Sequence, residues 1–317
     1  MTVSGQRPAS SSATLRALLA HDTITRAVGA GDGLQARLAE RHGFDALWAS
    51  GLAISAAHAV PDASILTMTE FLTAAQVIDR ACELPVLADC DTGFGDVNNV
   101  ARMVREYERA GIAGVCIEDK EFPKRNSFTD GQELASIAEF TARLLAAKDA
   151  QRAPEFVVVA RVESLIAGEG IDDALARAAC YQDAGADAIL IHSKTADGEE
   201  VLDFARRWRK RSQPLPLIAV PTTYYSVGWP LLAQAGISMV IYANQALRAA
   251  VRAVDDTLER ISAAENTAPV ESDLASVQDV LALIGMDELH SATERLQALP
   301  TINAPADSAA SAPSVVA

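Results

Sequence analysis

The chain has 317 residues, with 27 Lys and Arg against 42 Asp and Glu, a formal net charge of −15. Half of its residues are apolar and its mean hydropathy is +0.11, which excludes a disordered chain, while no apolar run reaches the ~20 residues that cross a bilayer. The surplus of negative charge argues against nucleic acid and against anionic membranes as partners, because both call for clustered Lys and Arg.

In chain order, residues 1–13 are rich in Ser and Ala and read as an N-terminal tail. The opening stretch has too short an apolar core for a secretory signal. Short β-rich segments follow at 24–28, 46–50, 85–91, 114–119, 155–162, 188–193, 214–221 and 238–244. Between them lie segments with helical spacing, at 96–110, 131–148 and 170–184. Near-continuous apolar strands alternating with amphipathic helices predict a parallel sheet covered on its faces. Eight such units in roughly 250 residues predict an α/β fold closed as a (β/α)8 TIM-like barrel, with a doubly wound open sheet as the rival.

A weak repeat supports closure. ERHGFDALWA, ERAGIAGVCI, QDAGADAILI and AQAGISMVIY each place a glycine after a helix and before an even-numbered strand. Gly43, Gly111, Gly185 and Gly236 are the expected helix-terminating glycines. Residues 265–271 read as a linker, followed by helical stretches near 272–284 and 286–298 that carry Leu274, Val277, Val280, Leu281, Ile284, Leu289 and Leu296. A barrel does not need them, so they are expected to cover its end or to pack on another subunit. Residues 301–317 read as a C-terminal tail, leaving 14–300 as one barrel domain with extra C-terminal helices. Cys82, Cys90, Cys116 and Cys180 include no CxxC pair, which fits a reducing cytoplasm.

Barrel chemistry lies at the C-terminal ends of the strands, so the residues that end each strand are the candidates. Strand two ends in Trp48-Ala49-Ser50-Gly51-Leu52, strand three in Asp89-Cys90-Asp91-Thr92-Gly93, strand four in Glu118-Asp119-Lys120. Strand five carries Arg161 and Glu163, strand six His192 and Ser193, strand eight Asn244. Asp89 and Asp91 share one face if the strand continues through both, and with Glu118 they make three mutually repelling carboxylates. A hard cation such as Mg²⁺ relieves that repulsion; a salt-bridge network with Arg161 and Lys120 is the other reading. Cys90 points the opposite way and reads as core. Arg161 offers a planar fork for phosphate or carboxylate, with His192 as a second donor. The Ser50-Gly51-Leu52 turn can aim backbone N–H groups at an oxyanion. The charged stretch 121–131 has neither helical nor strand period and reads as a lid over that face, whose Lys124 and Arg125 are expected to join Arg161, His192 and Lys120 in a local basic pocket.

Asp89-Cys90-Asp91-Thr92-Gly93-Phe94-Gly95 and Glu118-Asp119-Lys120 together resemble the isocitrate lyase/phosphoenolpyruvate mutase superfamily. Within it, Glu118-Asp119-Lys120 followed after five residues by Asn126-Ser127 resembles the signature of the mutases, and WASGLAIS, VARVESLIAG, GADAILIHSK and VPTTYY strengthen the likeness over residues 14–298. The resemblance implies a Mg²⁺-dependent cytoplasmic barrel, a homodimer or homotetramer in which the helix after strand eight is swapped. It implies interconversion of phosphoenolpyruvate and phosphonopyruvate, the step that forms a C–P bond. It further implies that Asp89 touches the metal while Asp62, Asp91 and Glu118 hold its waters. Trp48, Ser50, Gly51 and Leu52 would line the pyruvyl half, Arg161, His192, Asn126 and Ser127 the phosphoryl half, and Lys120 would act from the lid.

Superfamily relatives do other chemistry. The C–C lyases resemble a pattern with a catalytic Cys in the lid, and residues 121–131 contain none. Phosphonopyruvate hydrolase tends to carry Thr where Asn126 stands, so this motif favours a mutase; carboxyphosphonoenolpyruvate mutase is not separated by it. A non-catalytic anion-binding barrel is the reading from a different class. One departure is Gly31, where the superfamily commonly has His after strand one.

Overall fold

The computed structural model describes residues 10–298. Its centre is a closed parallel barrel of eight strands in sequence order. These are β1 (Thr25–Ala30), β2 (Ala46–Ala49), β3 (Val86–Asp89), β4 (Gly114–Glu118), β5 (Val157–Val162), β6 (Ala188–Ile191), β7 (Leu217–Ala219) and β8 (Ile237–Tyr242), with β8 pairing back onto β1. Each falls in or against a segment predicted from the apolar runs. Around them run α1 (Ser11–Leu19), α2 (Gly33–Arg41), α3 (Gly51–Ala57), α4 (Met68–Ala81), α5 (Val97–Arg109), α6 (Ile137–Ala150), α7 (Ser164–Ala167) and α8 (Gly170–Asp183). Then come α9 (Glu199–Trp208), α10 (Trp229–Ala235), α11 (Gln245–Ser262), α12 (Ala268–Glu271), α13 (Val277–Leu283) and α14 (Met286–Gln297). The four repeat glycines all have positive φ, the conformation that ends a helix without a Cβ penalty.

Alternation along the strands divides the core in two. Val86 and Ala88 of β3 face the helices, as do Val115 and Ile117 of β4 and Val158 and Ala160 of β5. Leu87, Cys116, Val159, Leu190 and Trp48 fill the barrel interior. Two residues further along each strand the interior position becomes polar: Ser50, Asp89, Glu118, Arg161 and His192. The period of two that packs the interior therefore also aims these side chains into the mouth.

Some sequence expectations shift. Residues 11–13 belong to α1 rather than to a tail, because the Ser10 side chain accepts the Ala13 N–H and starts the helix; residues 1–9 and the predicted tail at 301–317 lie outside the described residues. Leu15 and Leu19 of α1 join the interior cluster, and Gly114 makes room for Leu15, whose Cδ2 lies 3.2 Å from where a Cβ would stand. The helix read over 131–148 starts only at Ile137, where Ser136 caps it, and the linker at 265–271 contains the short α12. The helix read over 272–284 is confined to α13, set by a Ser276–Asp279 capping box.

Contacts divide the chain into two compact units, one through Val270 and one from Glu271, where the sequence reading drew one domain over 14–300. Neither α13 nor α14 buries a residue fully. Among the described residues no helix is long and apolar enough to cross a membrane.

Candidate active site

The polar ends of the strands line a pocket at the barrel mouth, with about 550 Å³ of empty space counting its open side. Trp48, Ser50, Leu52, Asp62, Asp89, Glu118, Lys120, Lys124, Asn126, Ser127, Arg161 and His192 all reach it. Eleven of these twelve positions are sequence candidates for metal, substrate or catalysis, and Lys124 is expected from the sequence, with Arg125, on the basic side of the pocket. Val220, Thr222, Ala243 and Asn244 close the opposite wall.

One half of the pocket is acidic. Asp89 is the last residue of β3 and is buried, and burial raises its pKa. Its Oδ2 accepts the Gly51 N–H at 3.2 Å. A Cβ at position 51 would stand 2.9 Å from that oxygen, so the close approach requires glycine. The turn predicted to serve an oxyanion thus already holds a carboxylate oxygen, while the Ser50 side chain caps α3.

Asp91 does not continue the strand. β3 ends at Asp89, and Asp91 has a φ of 49°, so the shared strand face predicted for the pair is lost. Asp91 instead accepts a hydrogen bond from Ser64 Oγ at 3.2 Å and lies 2.7 Å from Lys124 Nζ. Burial, reinforced by Asp89 and Glu118, pushes its carboxyl up to about 7 against the pull of Lys124.

Lys124, expected on the basic side, stands on the acidic side. Its ammonium sits between Asp91 and Asp62, 2.9 Å from the latter, with its side chain only 5% exposed. Burial opposes its charge, but the surrounding carboxylates outweigh this and hold it protonated. Asp62 likewise resists the cost of burial: Lys124 and the Asn126 amide, which donates to it at 2.7 Å, keep its carboxyl below the usual range. Both Lys120 and Lys124 turn inward; nothing in their spacing said which carboxylates each would meet.

The other half of the pocket is cationic. Arg161 Nε donates to Glu163 Oε1 at 2.5 Å, and its Nη2 donates to Ser127 Oγ at 3.1 Å and lies 3.4 Å from Glu118 Oε2. His192 Nδ1 is 2.8 Å from both Glu163 Oε1 and Arg161 Nη2. A carboxylate only accepts and a guanidinium only donates, so the ring's tautomer decides which of the two it bonds. Lys120 is 1% exposed and stands at the foot of the lid rather than on it. Its ammonium meets Glu163 Oε2 at 3.0 Å and donates to Ser127 Oγ at 2.6 Å and to the Arg125 carbonyl at 3.1 Å.

Below this layer Asp119 is fully buried and ties the strand ends together. It accepts the Glu163 N–H at 2.9 Å, the Tyr181 hydroxyl at 2.7 Å and Arg177 at 3.3 Å. Burial pushes its carboxyl up to about 6 despite these donors. Cys90 is buried in the shell between sheet and helices, as its alternation predicts. At Gly31 a Cβ would lie 3.0 Å from the Cβ of Ala53 in α3, a tight fit that a side chain would meet only if α3 gave by a few tenths of an ångström.

The barrel with an acidic and a cationic half at its C-terminal mouth, roofed by a loop, defines an enzyme site for a small anionic substrate. The chain belongs to the phosphoenolpyruvate phosphomutase family, whose pattern matches residues 15–262. It is 45% identical over 266 residues to phosphoenolpyruvate phosphomutase of Tetrahymena pyriformis, covering 83% of this chain and 88% of that one. A crystal structure of phosphoenolpyruvate phosphomutase from Streptomyces platensis subsp. rosaceus superposes with a TM-score of 0.87 at 52% identity, over 90% of this chain and 99% of the other. A phosphonopyruvate hydrolase crystallised with oxalate and Mg²⁺ superposes with a TM-score of 0.85 at 39% identity, over 91% of this chain and all of the other.

Proposed function

We propose that this chain interconverts phosphoenolpyruvate and phosphonopyruvate by intramolecular phosphoryl transfer. In the forward sense the P–O bond to the enol oxygen breaks, a P–C bond forms at the methylene carbon, and the enolate charge returns as the C2 carbonyl. The observation that carries this reading is the seating of the Asn126-Ser127 pair. Asn126 hydrogen-bonds Asp62 on the acidic side and Ser127 bonds Lys120 and Arg161 on the cationic side, so the mutase-like motif bridges both halves of the pocket.

The residues fit a divalent cation. Asp62, Asp89 and Glu118 line the pocket beside Lys120, Lys124, Arg125 and Arg161, while Asp91 pairs with Lys124 and Glu163 with Lys120 and Arg161, so carboxylates gather on one side where a hard cation can sit. Glu118 Oε1 is buried and has no hydrogen-bond partner. Among the described residues no three acidic, His or Cys side chains close on a single point; Mg²⁺ can be held by one or two carboxylates with waters completing its shell. Asp89, Asp91 and Glu118 would hold it, with Asp62 beside them. The bound ion would supply positive charge for the enolate and carboxylate oxygens.

The protein's own groups do the rest. Arg161 presents N–H donors to a phosphoryl group whose three oxygens carry the charge of a loose transition state, and His192 adds one from Nε2 in the tautomer whose Nδ1 accepts from Arg161. Trp48, Leu52 and Val220 give the pyruvyl end apolar walls. The lid, held by Asn126 and Ser127, keeps out the water that would capture the phosphoryl group as phosphate. No proton needs to move, so the absence of a free acid–base dyad is no obstacle. The test is ³¹P NMR with Mg²⁺: the phosphonopyruvate resonance should convert to that of phosphoenolpyruvate. Inorganic phosphate with pyruvate instead would assign the hydrolase reaction.

We also propose a homodimer or homotetramer that exchanges α11, and a cytoplasmic location consistent with four free thiols. α11 buries no residue in the single chain, and Val251, Val254 and Leu258 form an exposed apolar stripe at i, i+3 and i+7. Light scattering on Val254→Asp/Leu258→Asp should report monomers; an unchanged mass would remove α11 from the interface.

A further inference from the structure

The mechanism above gives no part to Glu163, yet this side chain is completely buried and meets four of the site's polar side chains: Arg161, His192, Ser127 and Lys120. Both carboxylate oxygens are engaged. Oε1 meets Arg161 Nε at 2.5 Å and His192 Nδ1 at 2.8 Å. Oε2 meets Ser127 Oγ at 2.8 Å and Lys120 Nζ at 3.0 Å. Its own N–H is held by Asp119. We infer that Glu163 is a positioning residue that couples closure of the lid to the aim of the phosphoryl-binding cations.

Arg161 stands between two carboxylates, Glu163 at 2.5 Å from Nε and Glu118 at 3.4 Å from Nη2. Without the charge on Glu163 the guanidinium turns toward Glu118, and its planar donor fork leaves the phosphoryl half. Two ties to the lid run through the same carboxylate: Ser127 directly, and the Arg125 carbonyl by way of Lys120. The residue therefore reads lid position on one oxygen and sets the Arg161–His192 pair with the other. Asp89 and the Gly51 turn, which serve the pyruvyl half, make no contact with it in the hydrogen bonds and ion pairs described above.

This inference rests on the mutase reading for its kinetic arm only. Glu163→Gln keeps the shape and removes the charge. In the full chain with Mg²⁺, turnover of phosphonopyruvate followed by ³¹P NMR should fall about a hundredfold or more, while the dissociation constant for oxalate, which probes the pyruvyl half, stays within about twofold of the parent. Limited trypsinolysis after Lys124 and Arg125 should become about tenfold faster, because the lid has lost its anchor. Ser127→Ala, which cuts only the direct tie, should also speed cleavage and leave oxalate binding alone. If Glu163→Gln loses oxalate binding along with turnover, the residue merely supports the fold and the inference is wrong; unchanged turnover and cleavage overturn it as well. A parent enzyme that fails to isomerise phosphonopyruvate, with cleavage still accelerated in both variants, would sink the reaction assignment and leave the lid coupling standing.

Discussion

Replacing Lys124 by Met should expose how much of the pocket's stability depends on one internal cation. The substitution keeps most of the side-chain volume and removes an ammonium that lies 2.9 Å from Asp62 and 2.7 Å from Asp91, both buried. Breaking a buried ion pair by removing one partner costs about 3–5 kcal/mol, because a charge is left uncompensated. The carboxylates can escape that cost by binding protons, and this makes the loss depend on pH. In the parent, Asp91 already takes up its proton near pH 7, whereas Asp62 is held below its ordinary value of 3.8. At pH 5 the variant therefore needs to protonate only Asp62, which costs about 1.6 kcal/mol at 1.36 kcal/mol per pH unit above 3.8. At pH 8 protonating both groups costs more than leaving them charged, and the full penalty returns. The sign follows from proton counts: with both folded-state pKa values raised, the folded variant binds more protons than the unfolded chain from about pH 4 up to those values, so its stability falls as pH rises through that window. Urea unfolding read by tryptophan fluorescence should give a loss of about 2 kcal/mol at pH 5 and about 3–5 kcal/mol at pH 8. Millimolar Mg²⁺ should recover a large part of the latter. A loss that is the same at both pH values, or below about 1 kcal/mol at pH 8, would refute the electrostatic account of this site.

Asn126→Thr removes the amide that donates to Asp62 at 2.7 Å, and should raise the ratio of inorganic phosphate to phosphoenolpyruvate formed from phosphonopyruvate by about tenfold, the worth of one hydrogen bond; an unchanged ratio in ³¹P NMR clears Asn126 of that role. Arg161→Lys should lower kcat/KM by about a hundredfold or more, since one ammonium cannot serve Glu163, Ser127 and the substrate as the planar fork does; full activity in steady-state assays would count against the assigned role. Burial, against the attraction of Glu163, lowers the pKa of His192 below its ordinary 6.5, so ¹⁵N chemical shifts should report a neutral ring at pH 7. Because the unfolded chain then binds this proton more readily, His192 should favour unfolding as pH falls below about 6.5, and His192→Asn should flatten that part of the stability curve.

What was legible in the sequence follows the strength of each physical constraint. Eight buried parallel strands must be apolar on both faces, so their runs stand out, and all eight lie where those runs predict. The residues at their ends are constrained almost as tightly: once Leu87, Cys116, Val159 and Leu190 fill the interior, Asp89, Glu118, Arg161 and His192 must follow them into the mouth. Asp91 escaped this logic because the strand stops first and the backbone turns left-handed, which alternation cannot foresee. The side on which Lys124 stands escaped for a different reason. Its loop has no period, so that choice is decided by carboxylates 62 and 91, which are distant in sequence and become neighbours only in the folded chain.

The same distinction explains the charge. A total of −15 describes the whole surface and disfavours polyanionic partners. A substrate meets only the pocket, where buried pairs are little screened by salt. There Asp62, Asp89 and Glu118 stand at one end and Arg161 and Lys120 at the other, with Glu163 between Arg161 and the lid. On the proposed reading, an anionic substrate binds an acidic protein through an inner balance that the net charge does not report: carboxylates at one end would hold a divalent cation, and Glu163 at the other would keep Arg161 and the lid in register for the group that moves.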